Sequence, residues 1–424
     1  MIALVDCNNF YVSCERVFNP KLEGLPVGVL SNNDGCVVAR SQEIKQLGVA
    51  MGAPAHQIEP HIRRQCILLS SNYALYGDMS RRVTDVLSQH TPHVDVYSID
   101  ESFLSFEGFA PDTLIDRCQA MRYQVRRDTG IPVSVGLSTS KTLAKIANHR
   151  AKKEACFDGV MMMDPHSDDT RAFLQQLPIT EIWGVAGRSA ARLRTLGIET
   201  AWQLREASPK HLRKHFSVVM ERIVYELRGE DCIPLDDMTQ PKKQIMVSRS
   251  FGRLTQNKTD LREAVRTHAS RAGEKLRKQK GLAQALMVFV RTNRFRQDLP
   301  SYSKSIVIPL PYATCDSRDL VRAAMAGLEQ IFKSGIWYQK CGVMLMDLCD
   351  HHNEQLGLLG EQQSADKRER NERLMATLDK LNREHGKNTV RLGMHRKANA
   401  WELRCENRTP RYTTRWDELA TANT

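Results

Sequence analysis

The sequence has no apolar run approaching the ~18 residues that a membrane-crossing helix requires, so no part of it is expected to span a bilayer. Its opening, MIALVDCNNF, carries an acid and no basic segment, so a secretory leader is not expected. The 11 cysteines include no Cys-x-x-Cys pair and no zinc-ligand spacing. They read as small apolar filler in a reducing cytoplasm. There is no internal repeat and no low-complexity tract. Acids are scarce in one stretch above all. Between Lys242 and Arg296, 15 Lys or Arg stand against 3 Asp or Glu, an excess equal to the net charge of +12 of the whole chain. With so few acids to pair with, these cations are expected to face a polyanion, nucleic acid foremost. The rest is ordinary: 424 residues, 41% hydrophobic and 26% charged, suffice for several folded domains.

IALVD reads as a buried strand whose last residue, Asp6, emerges at a site, and NNFYVSCERVFNP as a helix stopped at Pro20. LPVGVLSNN and GCVVARS read as strands joined by a hairpin at Asn32-Asn33-Asp34-Gly35. SQEIKQLGV, 78–90 and 113–128 read as helices, and VDVYSIDESFLSF and IPVSVGLS as strands. Residues 1–165 thus mix strands with crossover helices, an α/β or α+β pattern. Residues 166–233 read as short helices, and PLDDMTQPKKQ, 234–244, as a linker. Residues 245–349 alternate QIMVSRSFGR, ALMVFVRTNRF, KSIVIPLP and CGVMLMDL strands with two helices, a second α+β domain. Residues 350–424 form a polar tail with one amphipathic helix in ERNERLMATLDKLNREHG.

The chemistry centres on YSIDESF, 97–103. Neighbours in a regular strand point to opposite faces, so Asp100 and Glu101 share one site only at a tight bend. Two readings stand: an exposed turn, or three carboxylates converging with Asp6 from an adjacent strand. Bare, such carboxylates repel and one is pushed toward protonation. A divalent cation removes that cost, and hard oxygen ligands suit Mg²⁺. Two such ions about 3.5–4 Å apart serve phosphoryl transfer. Tyr11 follows Asp6 by about one helical turn, either as a core aromatic or as a ring that packs under a sugar and excludes a 2′-hydroxyl. Ser138-Thr139-Ser140 offers N-caps to a basic helix whose Lys141, Lys145, Lys152 and Lys153 are expected to reach phosphates. The segment is not a P-loop, because Ser140 stands where the second glycine belongs. ITEIWGVAGRSAARLRTLGIETAWQL, 179–204, resembles a helix-hairpin-helix, whose backbone amides bind phosphate without reading sequence, here at Gly184-Val185-Ala186 followed by Gly187.

In this order, DCNNFY (6–11), VLSNNDGCVVARS (29–41), SSNYALYGDMS (70–80), YSIDESF, KTLAKIANHRAKK (141–153), IWGVAG (182–187), SRSFG (248–252) and PRYTTR (410–415) resemble the Y-family translesion DNA polymerases. SNNDGCV, SIDES and PRYTTR are similar to the UmuC branch, the catalytic subunits of bacterial DNA polymerase V. The resemblance implies a right hand, with a ferredoxin-like palm and small fingers in 1–165, a helical helix-hairpin-helix thumb in 166–233 and a little finger in 245–349. It implies Asp6, Asp100, Glu101 and the Cys7 carbonyl as ligands of two Mg²⁺ ions, Tyr11 as steric gate with Phe10 beside it, and Lys152 and Lys45 on the incoming triphosphate. Gln42 stands where many relatives have a tyrosine at the triphosphate. Gly184, Val185, Gly187, Arg249 and Ser250 are implied as DNA contacts. The little finger would hold the +12 segment and grip the DNA backbone.

The implied activity is error-prone, template-directed addition of deoxynucleotides past damaged bases during SOS mutagenesis. The substrates are a damaged primer-template and deoxynucleoside triphosphates, in the cytoplasm at the nucleoid. A processed UmuD-type dimer and RecA are implied as partners. QLGLL, Gln355, Leu356, Gly357, Leu358 and Leu359, resembles the pentapeptide that binds the β sliding clamp, with Leu359 in the place of a phenylalanine. Rival readings fit less of the chain. A non-catalytic recruitment factor that binds DNA and the clamp would not need Asp6, Asp100 and Glu101. A nucleotidyl cyclase has no use for a helix-hairpin-helix. A two-metal nuclease leaves Tyr11 unexplained.

Overall fold

In the computed structural model, the apolar hexapeptide Ile2–Cys7 forms strand β1 at the centre of a five-stranded sheet. The structure describes residues 1–233, 241–350, 365–386, 389–393 and 404–419. It divides into two units, Met1–Gln240 with Cys405–Thr424, and Pro241–Arg404. Among the described residues no helix is long and apolar enough to cross a membrane.

In the first unit, β1 is followed by α1 (Phe10–Phe18), β2 (Val27–Leu30), β3 (Val37–Arg40), α2 (Gln42–Gln46), α3 (Pro60–Arg63), β4 (Ile67–Ser70) and α4 (Tyr73–Leu87). Then come β5 (Val94–Val96), β6 (Glu101–Ser105), α5 (Leu114–Thr129), β7 (Val133–Ser138), α6 (Lys141–Lys153) and β8 (Val160–Met162). The main sheet runs β5-β6-β1-β7-β8, antiparallel except for the β7–β8 pair. Period-2 alternation gives β1 two apolar faces. Ala3, Val5 and Cys7 join a core with Val12 of α1, Met79 of α4 and Met121 of α5. Ile2 and Leu4 pack with Phe103 and Ala144 of α6. Asp6 continues the second row, at its open end.

A glycine fixes how closely α6 lies on this sheet. A Cβ on Gly136 would stand 2.1 Å from the Asn148 amide nitrogen and 2.2 Å from the Ala144 carbonyl oxygen. Asn148 then ties the helix down, donating Nδ2 to the Leu4 and Ser134 carbonyls at 3.2 and 2.7 Å. The smaller sheet runs β3-β2-β4, and the β2–β3 link does turn at Asn32–Asp34, with Asn33 and Asp34 at positive φ of 62° and 50°. Short helices α7 (Asp168–Gln176), α8 (Gly187–Arg194), α9 (Ala201–Glu206), α10 (Pro209–His215) and α11 (Val218–Leu227) form a core that includes Leu143 and Ile146 of α6. The buried Glu226 carboxylate of α11 accepts from the Thr142 amide at 2.9 Å, a negative group on the N-terminus of α6.

The second unit contains β9 (Ile245–Thr255), α12 (Lys258–Lys278), β10 (Gly281–Thr292), β11 (Ser303–Thr314), α13 (Ser317–Ile331), β12 (Tyr338–Asp350) and α14 (Ala365–Glu384). Its antiparallel sheet runs β11-β10-β12-β9, with α12 and α13 burying a core that includes Leu261, Val265, Leu320 and Leu328. Helix α14 docks through a forked pair, Arg277 Nε and Nη2 to Asp379 at 2.7 Å each.

Local readings needed revision in places. VDVYSIDESFLSF is two strands, because Ser98 Oγ caps a turn by accepting from the Asp100 and Glu101 amides at 3.3 and 3.1 Å. Helix α4 begins at Tyr73 rather than 78, capped by Asn72 Oδ1 on the Leu75 amide. Strands β4 and β8, four and three residues long, carry too little alternation to be read from sequence.

Candidate active site

The antiparallel register sets Asp6 directly opposite Glu101, and the Cys7 amide donates to the Asp100 carbonyl at 2.8 Å. The β5–β6 turn therefore brings Asp100 and Glu101 to the end of β1. Helix α6 lays a lysine on each opposed acid: Lys152 Nζ on Asp6 Oδ1 at 2.5 Å, and Lys145 Nζ on both Glu101 oxygens at 2.8 Å. Burial pushes the Asp6 carboxyl up to about 6; Lys152 opposes this, and Glu101 and Asp100 add to it. Among the described residues no group of three or more His, Cys, Asp or Glu side chains forms a ready-made metal cage. Asp100 Oδ1 instead accepts from Ser98 Oγ at 2.5 Å. The donor chemistry nonetheless fits a divalent cation. Closely set hard oxygens raise one another's proton affinity, and a cation relieves that cost as the lysines do here.

A cavity of about 290 Å³ opens beside this pair, lined by Asp6, Glu101, Lys145, His149, Lys152 and Trp183 among others. Lys145 also lies over the rings of Tyr97, Trp183 and Phe103, at 4.7, 5.4 and 5.9 Å. Its pairing with Glu101 was not read from the sequence. The signal was present, since Lys145 falls one turn from Lys141 and two from Lys152 along one helix. Lys141 itself cannot meet a phosphate. It is fully buried, 3.6 Å from Asp95 Oδ2 and over the Phe103 ring. Lys153 is exposed.

Tyr11 lies on the first turn of α1, after Asn9 at φ 48°. Its ring stacks on Tyr76 at 4.4 Å and 13° and meets the edge of Tyr73 at 5.9 Å. Burial, with Tyr73 next, pushes its phenol up to about 12, so it stays a neutral donor. Phe10 is buried behind it, 3% exposed. Exposed Lys45 donates to Asn9 Oδ1 at 2.7 Å, and burial with nearby Arg40 and Lys152 lowers its pKa. Gln42 is exposed at the start of α2.

In the hairpin before α8, Gly184 takes φ 86° and Val185 is buried. Ala186 has φ −85°, which alanine adopts without strain, and Gly187 opens the helix. Arg249, exposed, and Ser250, half-buried, lie on β9, an edge strand of the second unit. Gln355, Leu356, Leu358 and Leu359 lie outside the described residues.

A sheet of this topology, with acids on its central strand and on the adjoining turn, has the donor arrangement that metal-assisted nucleotidyl transfer uses. Comparison with known proteins agrees. The chain matches the impB/mucB/samB family over residues 5–149, the HHH motif of the same family over 167–198, and that family's C-terminal domain over 242–358. Residues 372–422 match a domain of unknown function, DUF4113. Protein UmuC of Salmonella typhimurium is 42% identical over 99% of both chains, and protein MucB of Escherichia coli 40% over 100% of this chain and 99% of the relative. DNA polymerase IV 2 of Mesorhizobium japonicum is 30% identical over 76% of each. Among solved structures, a Y-family DNA polymerase chimera of Dbh and Dpo4 superposes with a TM-score of 0.66 at 22% identity, covering 82% of this chain and all of that one. The chain belongs to the impB/mucB/samB family of Y-family DNA polymerases, in its UmuC-like branch. It is an error-prone translesion DNA polymerase of SOS mutagenesis, with DNA and nucleotides as substrates and dependence on a divalent metal.

Proposed function

We propose that Asp6, Asp100, Glu101 and the Cys7 carbonyl hold two Mg²⁺ ions, and that Tyr11 is the gate against ribonucleotides. The observation that carries this reading is the Asp6–Glu101 register with a lysine of α6 on each acid. When bound, the ions lower the pKa of the primer 3′-hydroxyl and neutralise charge on the leaving pyrophosphate. Lys152 and Lys45 would turn from Asp6 and Asn9 to the triphosphate, with Gln42 a further donor to it. Phe10 backs Tyr11, whose ring fills the space a 2′-hydroxyl needs. Positioning and charge neutralisation supply most of the rate, and no side-chain nucleophile takes part.

We assign palm and fingers to 1–165, thumb to 166–233, linker to 234–244, little finger to 245–349 and tail to 350–424. Gly184, Val185 and Gly187 would take a DNA phosphate on backbone amides, and Arg249 and Ser250 the duplex backbone. Gln355, Leu356, Leu358 and Leu359 are proposed to bind the β sliding clamp. A processed UmuD-type dimer and RecA are proposed partners in the cytoplasm, at the nucleoid. These partner assignments rest on the UmuC-like sequence pattern.

The test is primer extension on a damaged template with Mg²⁺ and four deoxynucleotides, supplied with clamp, UmuD-type dimer and activated RecA. Wild type should extend, and the Asp100→Ala/Glu101→Ala double variant should not. Equal extension by both would remove the metal from these residues. Withholding each partner in turn assigns its contribution, and undiminished synthesis without one refutes that partner.

A further inference from the structure

The C-terminal segment lies against α1, which carries Tyr11, and against the start of α4, which carries Tyr76. Asn407 pairs with Ser70: its carbonyl accepts from the Ser70 amide and its amide donates to Ser70 Oγ, both at 3.0 Å. The Glu406 amide donates to Asp34 Oδ2 at 3.1 Å, in the SNNDG turn. Asn72, which caps α4, turns Nδ2 to the Thr409 carbonyl, Thr409 Oγ1 and the Pro410 carbonyl at 3.1, 3.0 and 3.0 Å. Tyr412 stacks on Phe18 of α1 at 4.9 Å and 9°. Three sequence motifs with no part in phosphoryl transfer, SNNDG, SSNY and PRYTTR, thus meet in one place.

At its centre is Glu15, 1% exposed. One oxygen, Oε1, accepts both from Tyr76 Oη at 2.6 Å and from Thr409 Oγ1 at 3.2 Å. Burial raises this carboxyl above its ordinary range, and the two hydroxyls oppose that shift. A buried acid is costly unless its oxygens are satisfied, so each hydroxyl is held in place by the other's shared acceptor. Tyr76 is fully buried, and its ring is the face on which Tyr11 stacks. An unbroken line of contacts runs from the tail through Thr409, Glu15 and Tyr76 to Tyr11.

We propose that residues 405–419 form a strap that sets sugar discrimination, with Thr409 a positioning residue that holds the Tyr11 ring through Glu15 and Tyr76. This rests on Tyr11 being the gate. A tilt of the ring opens room for a 2′-hydroxyl while leaving the acids of β1 and β6 untouched. The strap therefore governs selectivity more than rate.

The experiment measures kcat/KM for single insertions of dCTP and rCTP opposite template guanine, using the full chain with the partners above. Thr409→Val should raise the rCTP-to-dCTP ratio about threefold to tenfold, the scale of one ordinary intramolecular hydrogen bond lost, with dCTP insertion within about twofold of wild type. Thr409→Ser, which keeps the hydroxyl, should restore the ratio. Tyr76→Phe tests the same line from its other end, whether or not Thr409→Val folds, and should raise the ratio similarly. Combined with Thr409→Val it should add little more, because both act through Glu15. Tyr11→Ala separates the two ideas. If it raises the ratio and Thr409→Val and Tyr76→Phe do not, the gate stands and the strap is refuted. If Tyr11→Ala leaves the ratio unchanged, the gate reading falls and the strap with it. Equal losses for dCTP and rCTP in Thr409→Val reduce the segment to structural support.

Discussion

Lysines four residues apart on α6 have opposite fates. Lys145 reaches the rim of the site and Glu101, whereas Lys141 is sealed under Phe103 beside Asp95. Sequence shows two basic residues on one helical face and cannot tell them apart, because the difference lies in what the sheet places beneath each turn. Asp6 was more legible, since an acid ending an apolar strand has few structural uses. His268 shows the same dependence on surroundings. It is 2% exposed in α12, and burial, with Arg249 adding, lowers its pKa from the ordinary 6.5 to about 4. The folded state therefore binds fewer protons than the unfolded state between those values, and stability rises with pH across them. Acidification to pH 4 should cost the second unit about 3 kcal/mol through this group alone. Chemical denaturation of wild type and His268→Gln between pH 4 and 7 checks this. The variant should lose that part of the slope, and parallel curves would refute the assignment.

Among the elements, α6 has the tightest steric requirement. Its place on the sheet depends on Gly136, where even a methyl group meets backbone rather than a movable side chain. Gly136→Ala should destabilise the first unit by about 3 kcal/mol, the upper range for overpacking. It should also reduce nucleotide insertion further than stability explains, since the helix carries Lys145 and Lys152. Thermal unfolding and steady-state insertion on the same preparation test both, and a variant as stable and active as wild type would contradict the packing. Long elements such as α5 and α12 were readable from their apolar spacing. A bend at Asp100-Glu101 was readable, but what enforces it was not, because Ser98 makes the turn with hydrogen bonds inside an otherwise strand-like sequence. The strap was hidden for a related reason. PRYTTR is legible as a motif, but apart from the Tyr412 stack on Phe18 its contacts are polar and leave no apolar periodicity.

Across the whole molecule, charge is divided unevenly, and the Lys242–Arg296 stretch holds an excess of cations equal to the net charge of the chain. Binding of undamaged duplex should weaken steeply with salt, and Arg249→Ala should lower affinity for all sequences alike while reducing the slope of log K against log salt by about one. Fluorescence anisotropy on two unrelated duplexes decides this. An unchanged slope would take Arg249 off the DNA. The fold class, and the meeting of Asp6 with Asp100 and Glu101, were legible because strand alternation and the order of motifs survive in one dimension. The return of the C-terminal residues was not, since residues 405–419 pack with a unit whose other described residues end at 233.

That discontinuity has a consequence during synthesis. The ribosome makes residues 241–404, the second unit, before it reaches Cys405. At about 5–20 residues per second, roughly 9–36 s separate Leu227, the end of α11, from the arrival of Thr409 beside Glu15. A nascent chain that has completed Asp6, Asp100, Glu101, helices α7 to α11 and the second unit still lacks Thr409, which reaches Glu15 behind Tyr76 and Tyr11. The first unit is finished by residues translated only after the whole second unit, so a message cut short within that unit yields a polymerase body without its final fastening.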